Sequence, residues 1–436
     1  MTHSVCMKTL GCRLNEAELE NWAYRFHKDG FEISTETDKA DLIVINTCAV
    51  TQEAVKKSRQ LIRKTIQKNP RAKLVVCGCY GTLNPGLAEE IDGINLLVQN
   101  QDKDLLVDLV KPIMEECNRV VSGADSDRSV LLRMGRQRAF IKIQDGCRHR
   151  CTFCIVTIAR GSERSIPIRD IIEQIDRLHG EGINEVVLAG VHIGGYGGDL
   201  GESLDTLIRA ILSETGIQRL RLASLEPWNI PEGFLELFDN QRFMPHLHLP
   251  LQSGCDRILR RMGRRCKTSA YERFITDARS AHEDMNITTD IIAGFPGESD
   301  CDWQEGLEFI TRMKFGDIHI FPFSPRSGTA AAAFPGRLQP EVIKSRCVEL
   351  DELRRQMKQA FIEHYLGRTM PVVCEQDTPI NNGSETCFLV KGYTPNFIRS
   401  SVMMDGYAAL ANQMRLMQLK HYDTASESAI AEMVDG

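Results

Sequence analysis

Hydrophobic and polar positions alternate between two patterns along the first 120 residues. Short apolar runs at Ser4–Thr9, Asp41–Asn46, Lys73–Cys77 and 96–98 read as strands buried on both faces. Between them, 16–28 sets Leu19, Trp22, Ala23 and Phe26 at helical spacing and stops at Gly30. The stretches 51–68 and 102–116 predict two further helices. Strand and helix in strict alternation predict an α/β, doubly wound parallel sheet over residues 1–120.

Residues 134–366 alternate again. Strands are predicted at 139–144, 185–188, 220–223, 246–251, 288–293 and 317–321, and helices at 168–179, 203–213, 269–284 and 301–313. Six βα units of one hand predict a partial (βα)6 barrel whose active face lies at the strand C-termini. A polar, glycine-containing stretch at 122–133 separates the two regions as a hinge. A long charged helix over 340–366 leads to a tail at 367–425 with short strands at 370–374, 388–390 and 397–402, which predicts a small β-barrel. The last residues, from Thr424 on, are expected to fray.

Charge and composition narrow the field. The net charge of −6 excludes a globally basic nucleic-acid binder but not a local basic patch. No apolar run reaches the ~18–20 residues of a membrane span, and the N-terminus lacks a secretory leader pattern. A cytoplasmic protein is expected. Fifteen scattered cysteines in a reducing compartment point to metal binding or catalysis rather than disulfides.

Two cysteine sets stand out. Cys147, Cys151 and Cys154 form a C-x3-C-x2-C loop directly after the first barrel strand. Three thiolates on one short loop can hold three irons of a cubane and leave the fourth open to a substrate. A structural zinc with His149 as fourth ligand is the plainer alternative, but zinc sites usually show a second ligand pair, and none lies nearby. Cys12, Cys48 and Cys79 each follow a predicted strand, at spacings of 36 and 31 residues. A parallel sheet brings such strand ends to one edge, where α/β folds place ligands. Their alternative is three small buried hydrophobes. Cys77 is expected to pack inside its strand. Cys6, Cys117, Cys255, Cys266, Cys301, Cys347, Cys374 and Cys387 are read as structural.

The cysteine loop after a first barrel strand resembles the radical S-adenosylmethionine (SAM) superfamily. Leu188-Ala-Gly190 is similar to that family's SAM amino-group element, and Gly294-Phe-Pro-Gly-Glu298 to its GFPGET. His248-Leu-Pro-Leu-Gln-Ser-Gly254 and Phe321-Pro-Phe-Ser-Pro-Arg-Ser-Gly-Thr329 narrow the resemblance to the methylthiotransferases. So do the stretches around Cys12, Cys48 and Cys79. Within them, Lys8-Thr-Leu-Gly-Cys-Arg-Leu-Asn15 is closer to KTLGCKVN of the threonylcarbamoyladenosine (t6A) tRNA subgroup than to KTYGCQMN of the isopentenyladenosine subgroup. Arg221–Trp228 resembles the former's RISSIEPW, with Ala223 where serine is usual; Glu16-Ala17 replaces the more common Gln/His-Tyr.

The resemblance implies two [4Fe–4S] clusters with three cysteine ligands each: Cys147, Cys151 and Cys154 for one, Cys12, Cys48 and Cys79 for the other. It implies SAM contacts at Ala189, Gly190 and Glu226. SAM would be cleaved to a 5′-deoxyadenosyl radical, and a methylthio group inserted at C2 of t6A at tRNA position 37. It also implies an external flavodoxin- or ferredoxin-like electron donor, and leaves the sulfur source open. The competing readings are the same chemistry on isopentenyladenosine tRNA or on a ribosomal protein aspartate, and a non-enzymatic iron–sulfur RNA-binding or redox-sensing protein.

RNA contacts are expected in three places. Residues 55–73 carry eight Lys or Arg and no acid, with Val55, Ile62 and Ile66 on the opposite face of the helix. Arg257–Lys267 carries six basic residues near the barrel mouth. The tail resembles a TRAM domain through Gly392-Tyr-Thr-Pro-Asn-Phe-Ile398. With five Lys/Arg against eight Asp/Glu from 367 to 436, it would reach RNA only through side chains such as Arg368, Lys391, Tyr393, Phe397 or Arg399, and of these Phe397 is expected rather as core.

Overall fold

The computed structural model describes residues 3–114, 131, 135–228, 230–382, 385–405 and 410–434. The expected hinge at 122–133 lies outside the described residues except for Leu131, and so does Cys117.

The first region is a five-stranded, wholly parallel sheet. Its strands are β1 (Ser4–Thr9), β2 (Glu32–Ser34), β3 (Leu42–Thr47), β4 (Lys73–Gly78) and β5 (Leu96–Val98), in the order β2-β1-β3-β4-β5. All six residues of β3 are buried, as a central strand covered on both faces requires. Helix α1 (Arg13–Lys28) packs Leu19, Trp22, Ala23 and Phe26 on one face, and α2 (Gln52–Lys68) packs Ile62 on the other. Thr51 caps α2 by accepting a hydrogen bond from the Ala54 amide. Helix α3 (Leu106–Met114) completes the layer. The strand order reverses between β1 and β3, so a crevice opens at their C-terminal ends, the topological switch point of an open parallel sheet.

The middle region has six parallel strands in chain order: β6 (Arg138–Lys142), β7 (Glu185–Ala189), β8 (Arg219–Leu222), β9 (His246–His248), β10 (Asn286–Ala293) and β11 (Asp317–Pro322). They pair as two triplets, β6-β7-β8 and β9-β10-β11. The triplets are joined by hydrogen bonds such as Met244 N to Leu220 O and Leu225 N to His248 O, both 2.9 Å. Helices α4 (Ile168–Gly180), α5 (Leu204–Glu214), α6 (Thr268–Ala281), α7 (Asp300–Met313) and α8 (Pro340–Glu363) carry the crossovers and the exit. Ile141, Leu188, Leu220 and Leu222 pack outward into the helical layer. Phe140, Val187, Ala189 and Ala223 instead gather around Ala17 of α1, so the first region's own helix covers the other face of β6–β8.

The tail is a closed five-stranded barrel: β12 (Thr369–Asn382), β13 (Glu385–Tyr393), β14 (Arg399–Asp405), β15 (Met414–Asp423) and β16 (Ser428–Met433), ordered β12-β13-β14-β16-β15. The expectation that the residues after Thr424 fray is overturned. Strand β16 pairs antiparallel to β15 over Ser428–Met433 and parallel to β14 at Ser400–Ala429. Buried Ala429 and Ala431 close the barrel core. Small residues that looked featureless in sequence are what the tight closure of a small barrel needs.

This barrel is bolted under the middle one. Tyr393 stacks on Phe397 at 4.6 Å, and Phe397 stacks on His246 at 4.6 Å. Arg138 and Arg221 each lie 4.7 Å over one of these rings. Asn286 donates to Asn396 O at 2.8 Å, and Arg219 to Tyr393 O at 3.1 Å. Glu185 sits among Arg138, Arg219 and Arg221; burial alone would raise its carboxyl, but the three arginines hold it down at about 2. These residues begin the barrel strands, so the Tyr393–Phe397 loop plugs the face opposite the strand C-termini. Phe397 packs as core, as expected, while the RNA contact offered for Tyr393 is corrected: its ring is spent on the plug. Among the described residues no helix is long and apolar enough to cross a membrane.

Candidate active site

Two cysteine triads meet at the seam between the sheet domain and the middle barrel. Cys48 follows β3 directly, Cys79 follows β4 directly, and Cys12 caps α1 just beyond β1. Gly11 shows how close the strand ends come: its φ is +107°, and a methyl group on it would lie 2.8 Å from Cys48 Sγ. Burial pushes the Cys48 thiol up to about 11, with Cys12 and Cys79 adding to the rise. Cys12 is raised by burial too, with Arg160 opposing and Cys79 adding. Thiols shift one another this way only as near neighbours. Asn100 donates to Cys79 Sγ at 3.6 Å.

The second triad sits on the loop after β6. Gly146, with φ +74°, turns the chain into Cys147; a Cβ there would stand 1.9 Å from Ser162 O, so only glycine fits. Burial pushes Cys147 to about 12 and Cys154 to about 11. Asn100 spans the seam, donating to Cys79 Sγ at 3.6 Å and to Ala159 O, five residues past Cys154, at 2.6 Å, and Cys79 adds to the rise at Cys154.

The seam is held by charge. Arg160, on the short helix Val156–Arg160 after Cys154, donates to Glu18 at 2.9 Å, Asp145 at 2.8 Å and Asn15 at 2.6 Å, all buried. Lys103 meets Glu18 at 2.5 Å from the other side. Burial would raise the Glu18 carboxyl, but Arg160 and Lys103 hold it below the usual carboxylate range. Gln52 binds Ser324 and Pro325, and Asn100 binds Ala159 O at 2.6 Å.

The donor geometry tests what these thiols can hold. Among the described residues, His248, Asp290 and His319 are the one His/Cys/Asp/Glu group with donor atoms all within 4.8 Å of one another. Neither cysteine triad is gathered that tightly. A single zinc with bonds of ~2.3 Å needs tighter convergence, whereas a cubane spreads its ligands over three irons. The zinc alternative with His149 also meets a competitor, because His149 Nε2 lies 3.1 Å from His192 Nε2. His192 Nδ1 is in turn 2.8 Å from Glu163. Burial, then His192, lowers His149 to about 4.

Beside the loop triad lie polar atoms without partners. Glu226 Oε2, Trp228 Nε1 and Arg264 Nε are buried and make no hydrogen bond. Burial raises the Glu226 carboxyl, and its charge bears on Cys147. Arg264 lies 4.1 Å over the Trp228 ring, with Nη1 3.9 Å from Cys151 Sγ. Buried orphans of this kind mark a place for a polar ligand. Ala189 ends β7, and Gly190 presses against Gln144, whose Oε1 would be 3.1 Å from a Cβ. Gln144 Oε1 accepts from the amides of Val191 and His192, and its Nε2 donates to Asp145 O and Gly146 O. One side chain thus locks the Gly190 turn to the cysteine loop.

Arg264, His192 and Arg160 were not singled out by the sequence. Arg264 hid inside the basic run at 257–267, which the structure divides. Arg257 pairs with Asp302, Arg261 lies over Phe334 and donates to Pro296 O, and Arg264 joins the site. Arg260, Arg265 and Lys267 stand exposed, as the expectation of an RNA-facing run required, and Arg257 is exposed too but tied to Asp302. The cationic face of α2 does stand exposed at Lys56, Lys57, Arg59, Arg63, Lys64 and Lys68; Lys57 pairs with Glu53 and Lys68 with Asp38. Cys77 packs at 0% exposure, as expected, and Cys301 stands exposed.

Comparison with known proteins places these features. A family model described as uncharacterized protein family UPF0004 matches residues 4–99, and one described as the radical SAM superfamily matches residues 141–310. The chain is 35% identical over 379 residues to the threonylcarbamoyladenosine tRNA methylthiotransferase MtaB of Thermotoga maritima, covering 85% of this chain and 86% of that protein. It is 33% identical to MtaB of Bacillus subtilis over 91% of this chain and 89% of that one. The tRNA-2-methylthio-N(6)-dimethylallyladenosine synthase of Maricaulis maris is 29% identical, covering 99% and 97%. Among solved structures, the radical S-adenosylmethionine methyltransferase TsrM from Kitasatospora setae shares the fold with a TM-score of 0.57 at 15% identity, covering 76% of this chain and 77% of that one.

Proposed function

The chain belongs to the threonylcarbamoyladenosine tRNA methylthiotransferase family, and we propose that it inserts a methylthio group at C2 of t6A at position 37 of tRNA. The observation that carries this reading is the meeting of two cysteine triads at the C-terminal edges of two parallel sheets, with one seam between them.

Cys147, Cys151 and Cys154 hold one [4Fe–4S] cluster, and Cys12, Cys48 and Cys79 hold the other. When bound, the clusters and SAM supply the radical abstraction, sulfur and methyl chemistry that an unactivated adenine C–H demands. The protein's own work is placement. The Gly190 turn, held by Gln144, presents backbone to the SAM methionine. Glu226, Trp228 and Arg264 offer buried polar atoms that make no hydrogen bond, Glu226 Oε2 standing 3.8 Å from His192 Nε2. The Arg160 network fixes the distance between the two loops, and the Tyr393–Phe397 plug seals the far end against water. Arg326 follows Ser324 and Pro325, which Gln52 binds four residues past Cys48, and its buried Nε makes no hydrogen bond, a cation suited to anionic sulfur at that triad. The exposed cations of α2 take tRNA phosphates. A small flavodoxin- or ferredoxin-like protein delivers the electron, and work on tRNA suits a cytoplasmic enzyme.

The deciding measurement is nucleoside mass spectrometry of tRNA from cells with and without the gene. Loss of the 2-methylthio form of t6A with the isopentenyladenosine derivative intact is the expected result. Unchanged tRNA with a missing methylthio group on a ribosomal protein aspartate would reject the proposal.

A further inference from the structure

The basic run at 257–267 is bound backbone to backbone against the cysteine loop. Thr152 N donates to Met262 O, and Thr152 Oγ1 to Arg261 O, both at 2.9 Å. Gly263 takes the turn at φ +72°, its amide closed on Arg260 O at 3.1 Å. A Cβ on it would stand 3.3 Å from Arg150 O and 3.7 Å from Cys151 Cα. Gly263 is exposed, and Cys147, Cys151 and Cys154 are only half-buried. The outer surface therefore comes within one residue, without a side chain, of the loop triad. Four cations flank this turn: Arg150 on the loop, and Arg260, Arg265 and Lys267 on the run. All four are exposed, and none makes an ion pair among the described residues. The acids beside them are engaged: Glu163 with Arg148 at 2.9 Å, Asp302 with Arg257, and Asp256 with the Thr268 amide at 2.7 Å. This flank of the loop is left net positive.

We propose that this flank, centred on Gly263 and ringed by Arg150, Arg260, Arg265 and Lys267, docks the one-electron donor, a small acidic protein carrying a flavin or an iron–sulfur centre. The inference rests on the function proposed above, which needs one electron at the loop triad for each SAM cleaved. The donor loses that electron, which enters at the loop triad and is spent on the C–S bond of SAM that breaks into methionine and the 5′-deoxyadenosyl radical. Electron transfer falls off steeply with distance, so the donor must approach where the cover over the loop is thinnest, and at Gly263 the cover is bare backbone. Other sides of the loop are taken. Asn100 of the sheet domain holds Ala159 O, Ala331 N donates to Thr152 O at 2.8 Å, and Glu226, Trp228 and Arg264 keep their unpartnered atoms for SAM. Redox partners meet over small, weak interfaces steered by charge, and a rim of free cations complements an acidic surface. A tRNA fits this flank less well, because its base must reach the seam between the triads. The exposed cations of α2 start from the strand-end triad, and segment 324–331 stands between them and the loop: Gln52 at the head of α2 holds Ser324 and Pro325, and Ala331 holds Thr152.

The test sets two reductants against each other on the reconstituted holoenzyme. Arg150→Glu, and Arg260→Glu with Arg265→Glu in one chain, are assayed for 5′-deoxyadenosine formation with dithionite and with enzymatically reduced flavodoxin. Binding of oxidised flavodoxin is read directly by isothermal titration, and binding of tRNA by filter assay. With limiting flavodoxin the rate should fall about tenfold or more, and its dependence on salt should flatten. Flavodoxin affinity should fall in step, while the dithionite-driven rate and tRNA affinity stay at wild-type values. Equal losses with both reductants would make the residues merely structural and overturn the inference. Unchanged flavodoxin kinetics and affinity would overturn it as well, and a loss of tRNA affinity in their place would assign the flank to RNA. So would a wild type that dithionite drives and neither flavodoxin nor ferredoxin can. If wild type cleaved SAM with the expected donor dependence but left t6A RNA unmodified, the proposed function would fail and the docking face would stand.

Discussion

Cys147, Cys151 and Cys154 lie within eight consecutive residues, whereas Cys12, Cys48 and Cys79 are spread over sixty-eight. The first triad is set by one loop and a glycine that turns it. The second exists only when three strands of a parallel sheet pair in register and their ends line up at the switch point. Local geometry makes the one robust to changes elsewhere in the domain. Tertiary geometry makes the other a reporter of whether the sheet is intact. Burial raises Cys48 in one and Cys147 in the other, so loading either must release protons.

The sharpest way to separate the triads is to remove one ligand from each. Cys151→Ala should abolish 5′-deoxyadenosine formation, while Cys48→Ala should keep it and stop sulfur insertion. Each variant should carry about half the wild-type iron, as each [4Fe–4S] cluster needs its own thiolates. Product assays and iron analysis on anaerobically reconstituted protein decide this. Full product from Cys48→Ala would erase the distinction between the two triads.

How much of this was legible follows the same divide. The loop triad was readable because its ligands are local, and the strand-end triad because hydrophobic runs announced β1, β3 and β4. What stayed hidden depends on contacts between regions. Phe397 was legible as core, but Tyr393 in the same polar-flanked turn read as a side chain that could reach RNA; nothing local says that Arg138, Arg221 and His246 will close over the pair. The run 257–267 looked uniformly solvated, yet Arg264 ends beside Cys151. The strand at Ser428–Met433 failed as a pattern because four of its residues are Ser, Ala, Ala and Glu, and its evidence is the pairing. Long-range charge pairs such as Arg160 with Glu18, 142 positions apart, leave no trace in periodicity.

Arg160 is where the comparison can be broken physically. It sits on the helix after the loop triad and binds Asn15 and Glu18 of the helix that follows Cys12. Arg160→Met strips a buried cation from Glu18, which keeps Lys103, and from Asp145, and breaking a buried pair in this way costs about 3–5 kcal/mol. Denaturant unfolding of the iron-free protein should show that loss, and Asp145→Asn in the same chain should recover part of it, since Glu18 keeps Lys103 while Asp145 loses the cation hydrogen-bonded to it. If the double variant were no more stable than Arg160→Met, the network would not act as a unit. Activity should fall further than stability explains, because the two loops lose their common anchor.

The smallest effect is expected where the strand-end triad meets substrate from outside. Helix α2 begins four residues after Cys48, so its position is tied to the same sheet edge that gathers the thiols. Lys56 and Arg63 are exposed and make no ion pair among the described residues. Reversing both to Glu leaves the helix's buried face and its Thr51 cap untouched, so folding and iron content should hold. Removing two phosphate contacts should lower the slope of log affinity against log salt by about two and weaken tRNA binding most at low salt. Filter binding across a salt series reads both. An unchanged slope would move the RNA to the side of the loop triad, where Arg260, Arg265 and Lys267 are the exposed cations left to receive it.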